Sequence, residues 1–327
     1  MTMRAAWYER KGPARDVLVV GELPKPSPGP GEVLVAVKAS GVNPSDTKGR
    51  SGARGNTAMP FPLIIPHQDG AGIIEAVGDG VPRARIGEGV WIYEAQLGRA
   101  FGTAAGYVAV PAANAVPMPD GLGFVEAACL GVPALTAHRC VFADGPVAGQ
   151  TVLVTGGAGA VGFYAVQFAK HGGARVIATV RGDAQADTAR RAGADLVIDR
   201  TRDDVFARAG RVDRIVEVAF GANLETSVRM LNRNGVIATY SSDAEPAPTI
   251  PFWPLVMLDA TVRFVLVYAM TAAAHAEAIE ATNQAAREGW LQHHVGATLP
   301  LDRIADAHEL VESGRAGGKV VVEPLVQ

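Results

Sequence analysis

Gly157, Gly159 and Gly162 are spaced as G-x-G-x-x-G within Gly157-Ala158-Gly159-Ala160-Val161-Gly162. Glycines at this spacing serve a backbone that must approach a pyrophosphate. The first permits a tight turn, the second close approach to the phosphates, and the third close packing of helix on strand. The context fits as well. An apolar strand-like run, Thr151–Thr155 (TVLVT), precedes the loop, and a helical pattern from about Ala160 to His171 follows it. A helix opening at Ala160 and Val161 offers free N–H groups and a partial positive charge to an anion. The chain has 38 glycines, so the flanking strand and helix carry the specificity of this signal. The chemistry indicated is dinucleotide binding.

The second strand decides which dinucleotide. A site for NAD usually carries an acid about 20 residues after the glycines, bound to the ribose 2′-hydroxyl. Here the strand runs into Thr179-Val180-Arg181-Gly182-Asp183, and the first charged group is Arg181. A guanidinium there pairs with a 2′-phosphate. Arg200, after the third strand (LVIDR), supplies a second cation. NADPH is therefore expected. The alternative is that Arg181 is a solvated loop residue and Asp183 is the acid of an NAD site.

Other candidate chemistry is sparse. Cys129 and Cys140 are the only cysteines. Two thiols make neither a disulfide framework nor a four-thiolate metal site, and a reducing, cytoplasmic location is expected. Hydrophobic residues make up 48% of the chain and charged ones 19%, which fits a well-buried core and excludes disorder. A formal net charge of -3 gives no electrostatic grip on nucleic acid or anionic membrane. The opening residues reach charge at once, without the apolar core of a signal peptide. The stretch Trp253–Met270 is interrupted by Asp259 and Arg263. It is too short and too charged to span a membrane and reads as buried strand and loop.

The elements that must position the loop follow a clear order. The early chain is β-rich, with strand patterns at Glu32–Ser40, Gly72–Val77, Gly89–Tyr93 and Tyr107–Val110. From Gln150 strands alternate with helices. Strands are expected at Arg175–Val180, Leu196–Ile198, Arg214–Val218, Val236–Tyr240 and Val262–Val267, with helices near Ala160–His171 and Ala184–Ala192. That alternation implies a parallel sheet with right-handed crossovers. Helices at Thr271–Glu288 and Ile304–Ser313 and a closing strand Lys319–Glu323 complete the chain. A nucleotide fold inserted in a β-rich part suggests two domains with a cleft between them.

Several segments together resemble the zeta-crystallin-type quinone oxidoreductases of the medium-chain dehydrogenase/reductase superfamily. They are Gly41-Val42-Asn43-Pro44-Ser45-Asp46, the strand–loop–helix LVTGGAGAVGFYAVQFAKHGGARVIATV, and the Leu135-Thr136-Ala137 turn. The resemblance covers nearly the full chain. It implies an α/β protein: a Rossmann doubly wound parallel sheet (residues 119–269) inserted in a GroES-like β-rich catalytic domain (residues 1–118 and 270–327).

The superfamily's alcohol dehydrogenases hold a catalytic zinc with Cys, His and Cys. By resemblance those positions fall on Asn43, His67 (followed by Gln68) and Val132. One ligand of three cannot hold catalytic zinc, so no metal is expected and His67 reads as a hydrogen-bonded structural residue. Without a Lewis acid an alcohol is hard to oxidise. A quinone or activated alkene accepts hydride directly from the dihydronicotinamide.

The resemblance also implies site roles. Asn43 lies beside nicotinamide and acceptor. Thr136 contacts the nicotinamide side, and Ala219-Phe220 and Tyr240-Ser241 line the dinucleotide cleft. Backbone around Val265 and Val267 receives the carboxamide. Many relatives have Tyr where this chain has Lys48; Lys48 is left to contact phosphate, orient the acceptor or face solvent. Tyr93 and Tyr107 are the other tyrosines to weigh.

The expected activity is metal-free NADPH:quinone reduction. The rival is reduction of an enone or enoyl-thioester double bond. A different class is an NADPH-binding structural or RNA-binding protein. A homodimer is expected, with the apolar run Ala260–Val267 pairing across the dimer axis.

Overall fold

The computed structural model describes residues 1–55 and 57–324. The chain divides into two compact units, residues 1–132 with 293–327, and residues 133–292.

The first unit opens with an antiparallel pair, β1 (Thr2–Trp7) and β2 (Val19–Pro24), joined through the short α1 (Ala14–Val17). Next come β3 (Glu32–Val42), α2 (Pro44–Ser51), β4 (Asp69–Val77), β5 (Gly89–Ile92), β6 (Tyr107–Pro111), β7 (Ala115–Pro117) and α3 (Phe124–Ala127). β3 alternates because its Val33, Val35 and Val37 face a closed core with Ile74, Val90, Ile92, Val108 and Val110.

The second unit begins within α4 (Gly131–Phe142). It continues through β8 (Thr151–Val154), α5 (Ala160–His171), β9 (Arg175–Val180), α6 (Asp183–Arg191), β10 (Leu196–Asp199) and α7 (Val205–Ala209). β11 (Val212–Glu217), α8 (Phe220–Met230), β12 (Leu231–Thr239), α9 (Phe252–Met257), β13 (Thr261–Phe264) and α10 (Ala272–Arg287) complete it. Its six strands are all parallel, in the order β10-β9-β8-β11-β12-β13. This is the doubly wound order 3-2-1-4-5-6, and the strand order reverses between β8 and β11. The strands are near-continuous apolar runs because helices cover both faces.

The chain returns to the first unit with β14 (Val295–Pro300), α11 (Ile304–Glu312) and β15 (Lys319–Glu323). β15 pairs with β3 and extends that sheet to the order β14-β15-β3-β4-β5-β7, with β6 also on β3. The fold is thus a Rossmann unit inserted in a β-rich one. Boundaries were expected at 118/119 and 269/270; the compact units divide at 132/133 and 292/293. α10 stays with the Rossmann unit, where Gln167 of α5 holds the segment after it: its amide nitrogen donates to the Gln292 carbonyl at 3.1 Å and its Oε1 accepts from Gln292 N at 2.7 Å.

Three expectations are corrected. Leu135-Thr136-Ala137 is no turn; it lies inside α4, whose residues Ala134, Leu135 and Ala137 are fully buried. α8 was not anticipated: Phe220, Leu224 and Val228 at helical spacing pack into the sheet core. The stretch Trp253–Met270 is only partly buried: Leu255, Val265 and Val267 are buried. Trp253, Met257, Phe264 and Leu266 are 59–70% exposed, because β13 is an edge strand with one neighbour. Among the described residues no helix is long and apolar enough to cross a membrane.

Candidate functional site

The glycine loop sits between β8 and α5, at the point where the strand order reverses. Gly159 is the N-cap of α5, and the helix starts at Ala160. The left-handed residue is Gly156 (φ 67°) rather than Gly157; the tight turn comes one residue before its expected place. Gly157 is needed for packing instead, since a Cβ there would lie 2.6 Å from the Ala178 Cβ of β9. A Cβ on Gly162 would meet the Gly156 carbonyl oxygen at 2.2 Å. α5 therefore packs on its own loop as closely as backbone permits. The N-terminus of this twelve-residue helix suits a pyrophosphate.

Thr179 fixes the loop from β9. Its carbonyl accepts from Gly157 N at 3.0 Å and its hydroxyl from Gly156 N at 3.2 Å. Thr179 is buried, so it shapes the loop from behind. Arg181 and Arg200 directly follow the neighbouring strands β9 and β10. Arg200 N donates to the Val180 carbonyl at 3.1 Å, which sets both exposed arginines at adjoining strand ends. Asp183 is paired with Arg202, Nη1 to Oδ1, at 2.9 Å. Arg202 escaped the sequence reading; it also lies 3.3 Å from Asp199.

Ala219 and Phe220 form the β11–α8 turn and Tyr240-Ser241 follows β12. The two segments meet where Phe220 N donates to the Ser241 carbonyl at 3.0 Å. Burial pushes the Tyr240 phenol well above its ordinary range, so it stays neutral. Val265 and Val267 are buried, and Val265 N donates to the Thr239 carbonyl at 2.7 Å. Thr136 is buried within α4.

In the other unit, Asn43 N-caps α2 at the end of β3. It is 2% exposed and both ends of its amide are engaged. Its Nδ2 donates to Asp69 Oδ2 at 2.8 Å. Its Oδ1 accepts from the Lys319 ammonium, which also donates to Asp69 Oδ2 at 2.8 Å. Asp69 Oδ1 accepts from Val132 N at 2.9 Å. Gly131 must be glycine, since a Cβ there would lie 2.2 Å from Asp69 Oδ1. Asp46 closes the cluster by accepting from Asn43 N at 2.7 Å. Burial, then the neighbouring Asp69 charge, push its carboxyl up to about 7. Lys48 is half-buried on α2, five residues beyond Asn43. Tyr93 is buried, and Tyr107 carries the Lys25 ammonium 3.7 Å above its ring.

His67 takes part in a different chain. Its Nδ1 is 2.7 Å from Ser40 Oγ and its Nε2 is 3.0 Å from His308 Nε2. Ser40 Oγ also lies 2.7 Å from Thr103 Oγ1, and that hydroxyl donates to the Asp69 carbonyl. Thr103 has given its one proton, so Ser40 donates to Thr103, His67 Nδ1–H donates to Ser40, and His308 Nε2–H donates to His67. Burial holds both imidazoles neutral, His67 well below its ordinary range and His308 down to about 3.

These positions do not fit a catalytic zinc. Asn43 presents an amide already bound to an ammonium, Val132 an N–H, and His67 a nitrogen taken by His308. Among the described residues no group of three or more His, Cys, Asp or Glu could hold a metal ion.

Known proteins agree with this architecture. Residues 29–120 match the alcohol dehydrogenase GroES-like domain family, and residues 192–322 the family described as zinc-binding dehydrogenase. The rat quinone oxidoreductase (Rattus norvegicus) is 30% identical over 91% of this chain and 90% of its own length. The chain belongs to the quinone oxidoreductase family of the medium-chain dehydrogenase/reductases. A tomato (Solanum lycopersicum) 2-methylene-furan-3-one reductase is 30% identical over 90% of this chain and 72% of its own length. A solved mycobacterial structure complexed with NADPH superposes with a TM-score of 0.85 at 27% identity, over 98% of this chain and 100% of that one. The chain is thus an oxidoreductase of this family, and its cofactor is a nicotinamide dinucleotide.

The sequence reading missed Asp69, Lys319 and Arg202. Asp69 is preceded by the more conspicuous His67, and Lys319 stands 250 residues away. No local spacing joins the two.

Proposed function

We propose that the protein reduces a quinone with hydride from NADPH and uses no metal. The observation that carries the metal-free part is the Lys319 ammonium, held by Asp69 and by Asn43, the latter at a position where the family's dehydrogenases place a ligand side chain. A bound ammonium already supplies the positive charge at these oxygens, and like-charge repulsion disfavours a zinc ion beside it. When bound, the dihydronicotinamide supplies the hydride. The chain's own residues bind and orient. The α5 N-terminus takes the pyrophosphate, and the amide of Asn43, locked by Asp69 and Lys319, is a fixed polar marker beside the acceptor.

The choice of NADPH is supported by Arg181 and Arg200 at adjoining strand ends. It is also supported by the pairing of Arg202 with both Asp183 and Asp199, the acids at these strand ends. The choice of quinone rests on the family and the named relatives. Reduction of an activated double bond is the second reading, favoured by the tomato relative. That chemistry gains from a proton donor near the α-carbon.

The same reading places the protein in the cytoplasm as a homodimer. Two free, buried cysteines suit a reducing compartment. Phe264 at the end of the edge strand β13, Leu266 just after it, and Phe252, Trp253 and Met257 of α9 are all exposed and supply apolar side chains suited to a second copy. Light scattering tests the dimer, and a monomer at micromolar concentration refutes it. NADPH oxidation in the presence of 9,10-phenanthrenequinone tests the activity. It is expected in the native chain and lost in Gly159→Asp; no oxidation by the native chain contradicts the proposal.

A further inference from the structure

Glu217 ends β11 and is fully buried. No cation pairs with it among the described residues. Its side chain is satisfied by neutral donors alone. Oε1 accepts from Thr155 Oγ1 at 2.9 Å, from Ala219 N at 2.7 Å and from Asn223 Nδ2 at 2.8 Å. Oε2 accepts from Ser227 Oγ at 3.3 Å. An acid buried without a counter-charge is costly unless its hydrogen bonds are complete, and such groups are retained where a geometry must be fixed.

The donors come from particular places. Thr155 is the last residue before the glycine loop; its hydroxyl accepts from Val218 N at 2.9 Å, and its one proton has the Glu217 carboxylate at 2.9 Å as the nearer acceptor, ahead of the Val216 carbonyl at 3.2 Å. Ala219 is the N-cap of α8. Asn223 lies on the first turn of α8 and Ser227 one turn further along the same face. The backbone carbonyl of Glu217 accepts from Tyr240 N at 3.2 Å and from the Thr239 hydroxyl at 3.1 Å. One residue therefore joins the ends of β8, β11 and β12. Thr155 and Glu217 stand on opposite sides of the point where the strand order reverses, the place where open parallel sheets bind their ligand.

We infer that Glu217 is a positioning residue for the nicotinamide dinucleotide: its carboxylate locks the glycine loop to the Val218–Ala219 turn so that both approach the cofactor in one geometry. It touches no reacting atom and acts through Thr155 and Ala219. The inference rests on dinucleotide binding at these strand ends. A pre-set loop geometry lowers the ordering cost of binding, so its loss falls on cofactor affinity, while the acceptor pocket keeps its own contacts.

Fluorescence titration with NADPH, together with steady-state KM for NADPH and for 9,10-phenanthrenequinone, tests this on the full chain. Glu217→Ala and Thr155→Val are expected to raise the NADPH Kd about tenfold or more, the scale of one or two unmet buried hydrogen bonds. Glu217→Gln keeps an acceptor for Thr155 and Ala219 and is expected to bind within about threefold of the native chain. The quinone KM at saturating NADPH is expected to stay within about twofold in all three. A merely structural Glu217 lowers the unfolding temperature and leaves the Kd of the folded protein unchanged; that result overturns the inference. So does a Thr155→Val protein with native NADPH affinity, which remains informative if Glu217→Ala does not fold. The native titration reports separately on dinucleotide binding, since only the ratio of variant to native concerns Glu217.

Discussion

Lys319 on β15 and Asp69 on β4 form a buried ion pair at 2.8 Å, their side chains 3% and 0% exposed. The pair spans the sheet across β3, and Gly41 makes room for it: a Cβ there would lie 2.8 Å from Lys319 Cε. The two charges are compensated by each other and by Asn43 and Val132. Removing one partner strands the other in the interior, whereas removing both does not. Lys319→Met alone is expected to lower unfolding free energy by about 3–5 kcal/mol. Asp69→Asn with Lys319→Met recovers part of that loss. Chemical denaturation of the single and double variants checks it, and additive losses contradict a coupled pair.

Cofactor selectivity rests on the adjoining strand ends of β9 and β10. Arg181→Ala or Arg200→Ala is expected to raise KM for NADPH about tenfold or more, the worth of one hydrogen bond to a charged group. The NADH value moves little, because NADH has no 2′-phosphate. Steady-state assays with both cofactors decide; a native preference for NADH contradicts the assignment.

Gly162 is the position where the loop tolerates least. Gly162→Ala brings a Cβ to the Gly156 carbonyl oxygen, which would stand 2.2 Å away. The loop must open, and NADPH affinity is expected to fall at least about tenfold. Gly80→Ala is the control for removing a glycine elsewhere: a Cβ there meets nothing within 4 Å, and its φ of 84° costs only backbone strain.

Acid stability follows from His67 and His308. Both are held neutral by burial, His308 with its pKa lowered from 6.5 to about 3. Above pH 6.5 neither folded nor unfolded chain protonates them, and their contribution is intact. As pH falls from 6.5 toward about 3 the unfolded chain takes up protons that the folded chain refuses, so stability drops. His308→Leu removes one of these protons from the balance. It is expected to cost stability at pH 7.5, where His67 Nε2 loses its donor. It is also expected to flatten the acid limb of the stability–pH curve by about one proton. An unchanged limb contradicts the neutral pair.

The Rossmann half was legible because its signals are local. Gly157, Gly159 and Gly162 lie within six residues, and strands such as Arg175–Val180 read directly from apolar continuity. Gly156 was overlooked because a fourth adjacent glycine adds nothing to the pattern; only its φ separates it from Gly157. Asn43, Asp69 and Lys319 could not be assembled from sequence, since sheet pairing of β15 on β3 is what joins them. Phe264 and Leu266 read as core because apolar composition does not reveal that β13 has one neighbour.

Metal-free quinone reduction is decided by kcat/KM for 9,10-phenanthrenequinone, 1,4-benzoquinone, a simple enone and crotonyl-CoA, measured with NADPH on protein dialysed against a chelator. Turnover of the quinones is expected at the highest kcat/KM, undiminished by the chelator. Turnover of crotonyl-CoA or the enone alone, or activity that disappears with the chelator and returns with zinc, contradicts it.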